Sequence, residues 1–169
     1  PGVRVTLRSG EHPPLTREGD VLFTHQGLSG PAILHVSRYA RSGDTLDLCL
    51  APGHPEQIRQ RFMALLSDKR SSHLRAILQE FVPRRLAEVL LDIAGLKDNP
   101  AATGLSKTVL NKLAGLLSAC PFTIQEVGGF DIAMATAGGV NINEVAPKTM
   151  QSRLVSNLYF AGEVLDVDG

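Results

Sequence analysis

The apolar positions of this chain change their period twice. Over the first fifty residues they alternate with polar ones. Val3-Arg-Val-Thr-Leu-Arg8 and Thr45-Leu-Asp-Leu-Cys-Leu50 read as half-buried strands, and Val21-Leu-Phe-Thr-His25 is a short strand-favouring run. Between the last two, Gly27-Leu-Ser-Gly-Pro31 leads into Ala32-Ile-Leu-His-Val-Ser-Arg-Tyr39. Ser29 or Gly30 can cap a helix there and Pro31 suits its first position, so a short helix is predicted.

From Pro55 the period lengthens to that of a helix. Ile58, Phe62, Leu65 and Leu66 share one face, and Leu74, Ile77, Leu78 and Phe81 repeat the spacing. Pro83 opens a third helix carrying Leu86, Val89, Leu90 and Ile93, with Gly95 as a left-handed cap. A fourth runs through Leu105, Val109, Leu110, Leu113, Leu116 and Leu117, starting near Thr103 or Ser106 and stopping at Cys120-Pro121. Four amphipathic helices on short connections predict a small bundle.

After Pro121 the alternation returns. Phe122-Thr-Ile-Gln-Glu-Val127 is a strand, Gly128-Gly129 a turn and Asp131-Ile-Ala-Met-Ala-Thr136 a second strand; Ala137-Gly-Gly-Val140, a polar stretch and Asn157-Leu-Tyr-Phe-Ala-Gly162 follow. Strands on both sides of a helical insertion predict an α+β fold. It consists of a β-barrel-like domain, closed by strands from both ends, with an inserted four-helix lobe.

Composition and charge narrow the class. At 169 residues and 43% hydrophobic, the chain can bury the core of one domain or two small lobes. Seventeen Lys and Arg balance seventeen Asp and Glu, so no overall field steers it onto nucleic acid or an anionic membrane, and nucleic acid is disfavoured as a partner. The neutral total hides a polarised chain: net charge is 0, +4 and −4 over residues 1–50, 51–120 and 121–169. Apolar runs fall well short of the roughly 20 residues that span a bilayer, and the N-terminus has no basic-then-apolar signal, so no membrane partner is expected. Cys49 and Cys120 have no Cys or His neighbour at metal or redox spacing and read as reduced core thiols of a cytoplasmic protein. The chain opens on Pro1 and stops at Gly169 in mid-motif, which suggests a segment of a longer polypeptide.

Residue types alone offer weak candidates for chemistry. The histidines at 12, 25, 35, 54 and 73 show no metal-ligand spacing, and no metal is expected. His25 is the best placed, beside a Gly-rich turn at a strand end, although a turn or surface role is the ordinary alternative. Gly27-x-x-Gly30-Pro31 before a helix could hold an anion or simply make a tight turn. Gly138-Gly139 permits close approach to the backbone, as any loop glycine pair does. Glu163, Asp166 and Asp168 form an acidic cluster, in which Asp166-x-Asp168-Gly169 opens like a calcium loop but lacks the ligands that should follow. Arg59, Arg61, Lys69, Arg70, Arg84 and Arg85 could contact an acidic protein or RNA, or form a solvated face.

Four stretches go further together. Phe23-Thr-His-Gln-Gly-Leu-Ser-Gly-Pro-Ala-Ile-Leu34, Thr136-Ala-Gly-Gly-Val140, Pro147-Lys-Thr-Met-Gln-Ser152 and Leu158-Tyr-Phe-Ala-Gly-Glu-Val-Leu-Asp-Val-Asp-Gly169 resemble, in this order, the BaiN/YhiN-type flavoprotein family. These are NAD(P)/FAD-dependent oxidoreductases, also described as aminoacetone-oxidase-family FAD-binding enzymes. The resemblance implies a fragment of a larger two-dinucleotide-type FAD fold. Residues 1–52 would be the first part of the β domain, 53–120 the helical lobe, 121–157 the return strands and 158–169 the start of the C-terminal FAD-binding segment.

The resemblance also implies FAD as cofactor of the whole protein, with NAD(P)H a candidate electron donor. Most of the FAD would be held by dinucleotide-binding segments outside this chain, so the chain alone would neither retain it nor catalyse. Its partners would be the missing FAD-binding domain of the same polypeptide and a small-molecule substrate. Carried onto matching positions, the resemblance puts Gly162 and Glu163 at the ribityl chain, Asp168 and Gly169 towards the pyrophosphate, and Ala137, Gly138, Gly139 and Val140 where backbone approaches the flavin ring. It names no catalytic residue. The implied function is the substrate-side insert domain of a FAD-dependent oxidoreductase; the alternative is a non-catalytic protein- or RNA-interaction module using the basic helical lobe.

Overall fold

In the computed structural model the described residues are 2–68, 73–96, 98–129, 133 and 138–167. They fall into two compact units, Pro1–Val127 and Gly128–Gly169. In the first unit, β1 (Val3–Arg8) and β2 (Leu15–Gly19) form a hairpin, and β3 (Leu22–Phe23) and β4 (Leu28–Ser29) form a smaller one. Helix α1 (Pro31–Ser37) follows, and β5 (Thr45–Cys49) returns to pair with β1. The lobe comprises α2 (Pro55–Asp68), α3 (Leu74–Leu78), α4 (Arg84–Ile93) and α5 (Lys107–Ser118), after which β6 (Cys120–Thr123) pairs with β5.

The main sheet is antiparallel with order β2-β1-β5-β6. Its register sets Val5 opposite Leu48, Leu7 opposite Leu46, and Leu48 opposite Cys120, and all of these side chains are buried. The alternate positions carry the Arg4–Glu18 and Arg8–Asp47 ion pairs and the Thr6 and Thr16 hydroxyls, 3.0 Å apart. Strict period-two patterning thus separates a core face from a wet one.

Among the described residues this sheet is open, with β2 and β6 as its edges, rather than the barrel-like closure expected. The strand expected over Asp131–Thr136 lies outside the described residues except for Ala133, which carries no strand. Val21–His25 shortens to Leu22–Phe23, because the chain turns at Thr24: Thr24 N donates to Gly27 O at 2.8 Å. β2 went unpredicted because Leu15-Thr-Arg-Glu-Gly19 has one large apolar residue; its pairing with β1 and its edge position make it a strand.

The lobe follows its sequence signals with two shifts. Ser106 Oγ accepts from Val109 N at 3.3 Å and caps α5. Gly95 has φ 79°; its N–H donates to Asp92 O and that of Leu96 to Leu91 O, both at 2.9 Å, the paired bonds of a left-handed cap. α3 ends at Leu78, short of Phe81, whose ring instead meets Phe62 edge-on at 5.9 Å. α4 buries Ala87, Leu90 and Leu91, while Val89 and Ile93 are 49% and 46% exposed, so the helix is turned from its predicted face. Adjacent Leu90 and Leu91 make the apolar stripe ambiguous, and Ala87 and Ala94 are buried with them. One core runs from Val5 and Leu48 of the sheet through Phe62, Leu74, Ile77, Leu90, Leu113 and Leu117 of the lobe. Leu50 N donates to Leu117 O at 2.9 Å where the two layers meet.

The second unit is held mostly by turns. It has antiparallel bridges between Val145 and Ser152 and between Gln151 and Tyr159, and a parallel bridge between Val140 and Leu165. Asn157–Gly162 therefore contributes one bridge and then a 3-10 turn, Gly162–Val164, in place of the expected strand. Pro147–Ser152 is a tight turn: Met150 N donates to Ala146 O at 2.7 Å, with Met150 at φ 61°.

Candidate functional site

The second unit joins two of the stretches singled out in the sequence. Val140 N donates to Val164 O at 2.8 Å and Asp166 N to Val140 O at 3.0 Å, so the Gly138–Val140 segment runs parallel beside Glu163–Leu165. Its two glycines differ in what they do. A Cβ at Gly139 would lie 2.6 Å from Val164 O and 2.8 Å from Asp166 N, so Gly139 is required by approach of the chain to itself. Gly138 (φ 93°) and Gly162 (φ 77°) have nothing within 4 Å of a would-be Cβ. Both are exposed and precede in sequence the bridged residues Val140 and Leu165.

Glu163 is the middle residue of the Gly162–Val164 turn, is exposed, and its side chain makes no hydrogen bond or ion pair among the described residues. Open glycine backbone beside a carboxylate without a protein donor fits a flat cofactor with a hydroxylated chain, the donor set a ribityl group supplies. Ala137, Asp168 and Gly169 lie outside the described residues.

The other candidates separate clearly. In Gly27–Gly30, the Thr24 hydroxyl donates to Gly27 O and accepts from Gln26 N and Gly27 N, and a Cβ at Gly30 would strike Asp20 O at 2.6 Å. Ala32 N at the start of α1 donates to Asp20 O at 3.3 Å. This geometry accounts for both glycines as a tight turn. His25 and Gln26 sit exposed at its tip, after Leu22 and Phe23, which are 58% and 55% exposed. His73 stands at the N-cap position of α3 without a side-chain capping hydrogen bond, and His54 Nδ1 accepts from Glu56 N at 3.4 Å. Among the described residues no three His, Cys, Asp or Glu side chains gather as a metal site would need, and no helix is long and apolar enough to cross a membrane.

The cations of the lobe are largely engaged within it. Arg59 Nη2 donates to Asn111 Oδ1, the Arg61 guanidinium lies 5.0 Å from the Phe81 ring centroid, Arg75 and Arg84 share Glu88, and Lys112 Nζ donates to Ile93 O. Arg84 foremost, with Arg75, holds the Glu88 carboxyl below the usual carboxylate range. Lys69 and Arg70 lie outside the described residues. Burial pushes the Cys49 and Cys120 thiols up, which fits core thiols.

A cavity of about 240 Å³ in the first unit drew no attention in the sequence, because it sets Tyr39 against the distant β1–β2 hairpin, lined there by Leu7, Ser9, His12, Pro13 and Leu15. Of the segment Val21–Gly43, which carries Arg38 and Arg41 and is flanked by Asp20 and Asp44, Tyr39 lines the cavity.

Comparison with known proteins gives a consistent picture. Residues 1–135 match the family model described as the HI0933-like protein barrel and H2TH domain. The chain is 33% identical, over 88% of its length, to a protein of Haemophilus influenzae named ribosomal RNA dihydrouridine synthase, covering 36% of it. It is 34% identical, over 99% of its length, to an Escherichia coli protein of the same name, covering 41%. It is 30% identical, over 89% of its length, to the 3-dehydro-bile acid delta(4,6)-reductase of Clostridium scindens, covering 39%. The chain thus spans about two fifths of the length of these relatives. The motifs, their order and these matches agree, and the chain belongs to the HI0933-like family, that of the BaiN/YhiN-type flavoproteins.

Proposed function

We propose that this chain is the substrate-side part of a cytoplasmic FAD-dependent reductase that adds hydrogen across a carbon–carbon double bond, with a uridine of ribosomal RNA as its substrate class, and that it does not catalyse alone. The observation that carries the reading is the alignment of two ribosomal RNA dihydrouridine synthases over 88% and 99% of the chain. The bile acid relative supports the reaction type, since its name also describes reduction at carbon–carbon double bonds. The neutral total charge that disfavoured nucleic acid averages over a chain with an acid-free segment at Val21–Gly43.

The chemistry FAD supplies when bound is two-electron transfer to the substrate. The chain's own contribution is binding and positioning. Glu163 would accept hydrogen bonds from the ribityl hydroxyls, and the open backbone at Gly138 and Gly162 would admit the flat ring system. The Val140–Leu165 bridge would hold both segments in register. Most of the cofactor would rest on the remaining, larger part of the polypeptide. Exposed Leu154, Tyr159 and Val167 in the second unit, at 72%, 59% and 63%, are apolar surface suited to being covered by that part.

The test uses the full-length protein. It should be yellow as purified, be reduced by NAD(P)H, and form dihydrouridine in ribosomal RNA from cells lacking its gene, read by nucleoside mass spectrometry. A colourless folded protein overturns the cofactor assignment. Unchanged RNA beside rapid reduction of a steroid enone overturns the RNA assignment and keeps the reaction type.

A further inference from the structure

We infer that the β3–β4 hairpin meets the substrate ring and that His25 at its tip donates the proton that completes reduction of the carbon–carbon double bond; this rests on the reductase reading above and supplies the acid that it leaves unnamed. Adding hydrogen across such a bond takes a hydride and a proton. The hydride, supplied from reduced flavin, forms a C–H bond at one carbon. The π pair moves to the other carbon and forms a C–H bond with the acid's proton, and the acid regains a proton from water. Imidazole is the side chain whose ordinary range best suits that task near neutral pH.

Most other candidates among the described residues are enclosed or engaged. Cys49 and Cys120 are buried, and burial makes their thiols poorer acids. The His12 ring packs edge-on against Tyr39, His54 Nδ1 accepts from Glu56 N, and His73 bridges to Ala101. His25 and His35 remain, both exposed and without a side-chain partner among the described residues. His35 sits within the regular turns of α1, whereas His25 stands on a fixed tip.

That tip is held from three sides. Thr24 and Gly27 exchange backbone hydrogen bonds, Thr24 N to Gly27 O at 2.8 Å and Gly27 N to Thr24 O at 3.3 Å, so His25 and Gln26 form a two-residue loop. The Thr24 hydroxyl donates to Gly27 O and accepts from Gln26 N and Gly27 N. Strands of two residues are too short to be stable alone. Here the Phe23 ring lies 6.2 Å from that of Phe122 on β6, and Leu28 packs against the core.

Leu22 and Phe23 nonetheless stay more than half exposed. The Gln26 side chain, like that of His25, has no partner among the described residues. An aromatic face and an aliphatic side chain, next in sequence to an imidazole and an amide that both donates and accepts, match a flat ring edged with carbonyl and N–H groups, which is the chemistry of uracil.

The experiment uses the flavin-loaded full-length protein and, as substrate, whichever of ribosomal RNA and the steroid enone it reduces in the test above. Stopped-flow absorbance separates reduction of the flavin by NAD(P)H from its reoxidation by substrate. His25→Gln should leave the first rate unchanged and slow the second roughly hundredfold, and added imidazole should restore part of that rate in His25→Ala. His35→Gln should change neither rate. Phe23→Ser should weaken binding of substrate to the oxidised protein, which does not turn over, roughly tenfold, as for the loss of one aromatic contact. Thermal melts establish that each variant is folded, and His25→Asn replaces a His25 variant that is not. Reoxidation of folded His25→Gln at the wild-type rate, or equal slowing of both steps, overturns His25 as the acid. Wild-type substrate binding by folded Phe23→Ser overturns the hairpin contact. A parent that reduces neither substrate overturns the reductase reading and this inference together.

Discussion

Gly139 and Val164 approach so closely that a Cβ on the glycine would lie 2.6 Å from the valine carbonyl oxygen. Gly139 also has φ 152°, so Gly139→Ala combines backbone strain with a clash against main chain that cannot rotate away. We expect the local opening free energy at the Val140 and Asp166 amides to fall by about 1–3 kcal/mol. Hydrogen exchange at those amides measures it. Gly129→Ala is the control, because Gly129 has open space and no positive φ. Equal protection in the two variants would refute the account of Gly139.

Glu163 offers a different kind of test because it has no protein partner to lose among the described residues. Glu163→Gln should leave the melting temperature of the flavin-free full-length protein unchanged. If the carboxylate accepts from the ribityl chain, FAD affinity should fall roughly tenfold, as for the loss of a charge-assisted hydrogen bond. Equilibrium dialysis of the flavin reads this directly, and unaltered affinity removes Glu163 from the site.

Glu88 receives Arg84 Nε at 3.0 Å and Arg75 Nη1 at 3.4 Å, and its carboxyl is held below the ordinary range chiefly by the Arg84 bond. A carboxyl depressed on folding stabilises the native state above its unfolded pKa, near 4.3, and loses that contribution as pH falls through the lower folded value. Wild type should therefore exceed Glu88→Gln in stability at neutral pH, with the gap closing at about pH 3. Urea melts at the two pH values measure it. A constant gap would mean that the charge is irrelevant.

Cys49 Sγ donates to Ala51 O at 3.5 Å, and both thiols are buried and pushed up, Cys49 by burial and Cys120 by burial with Asp47 adding to it. Native protein should react slowly with an aromatic disulfide reagent at mildly alkaline pH, and fast at both residues in guanidinium. Rapid reaction of either thiol in the native state would show that its burial is breached by motion.

What the sequence disclosed follows the strength of each physical signal. The caps at Ser106 and Gly95 and the strands Val3–Arg8 and Thr45–Cys49 are local and were legible, since neighbours in sequence create them. The rotation of α4 was not, because Leu90 and Leu91 satisfy two stripes and only packing chooses between them. β2 was hidden because pairing with β1, rather than its own residues, makes it a strand. Motif resemblance brought Gly138, Gly139 and Glu163 forward, but the division of labour between the glycines depends on where Val164 lies. The Tyr39 cavity sets that ring, just beyond α1, against the β1–β2 hairpin and its turn, and no spacing rule connects the two.

The pairing of Leu48 with Cys120 has a consequence for how the chain finds its fold. The intervening residues, about seventy, leave and rejoin the sheet at neighbouring rungs. Zipping β5 to β6 before the helices form means closing a loop of that length, at an entropic cost of about 4 kcal/mol by the logarithmic loop law. Helices that collapse first bring Leu50 and Leu117 together and deliver the two strand ends side by side. The lobe is then a splint for the sheet, and damage to its core should appear first as slower refolding of the β5–β6 seam.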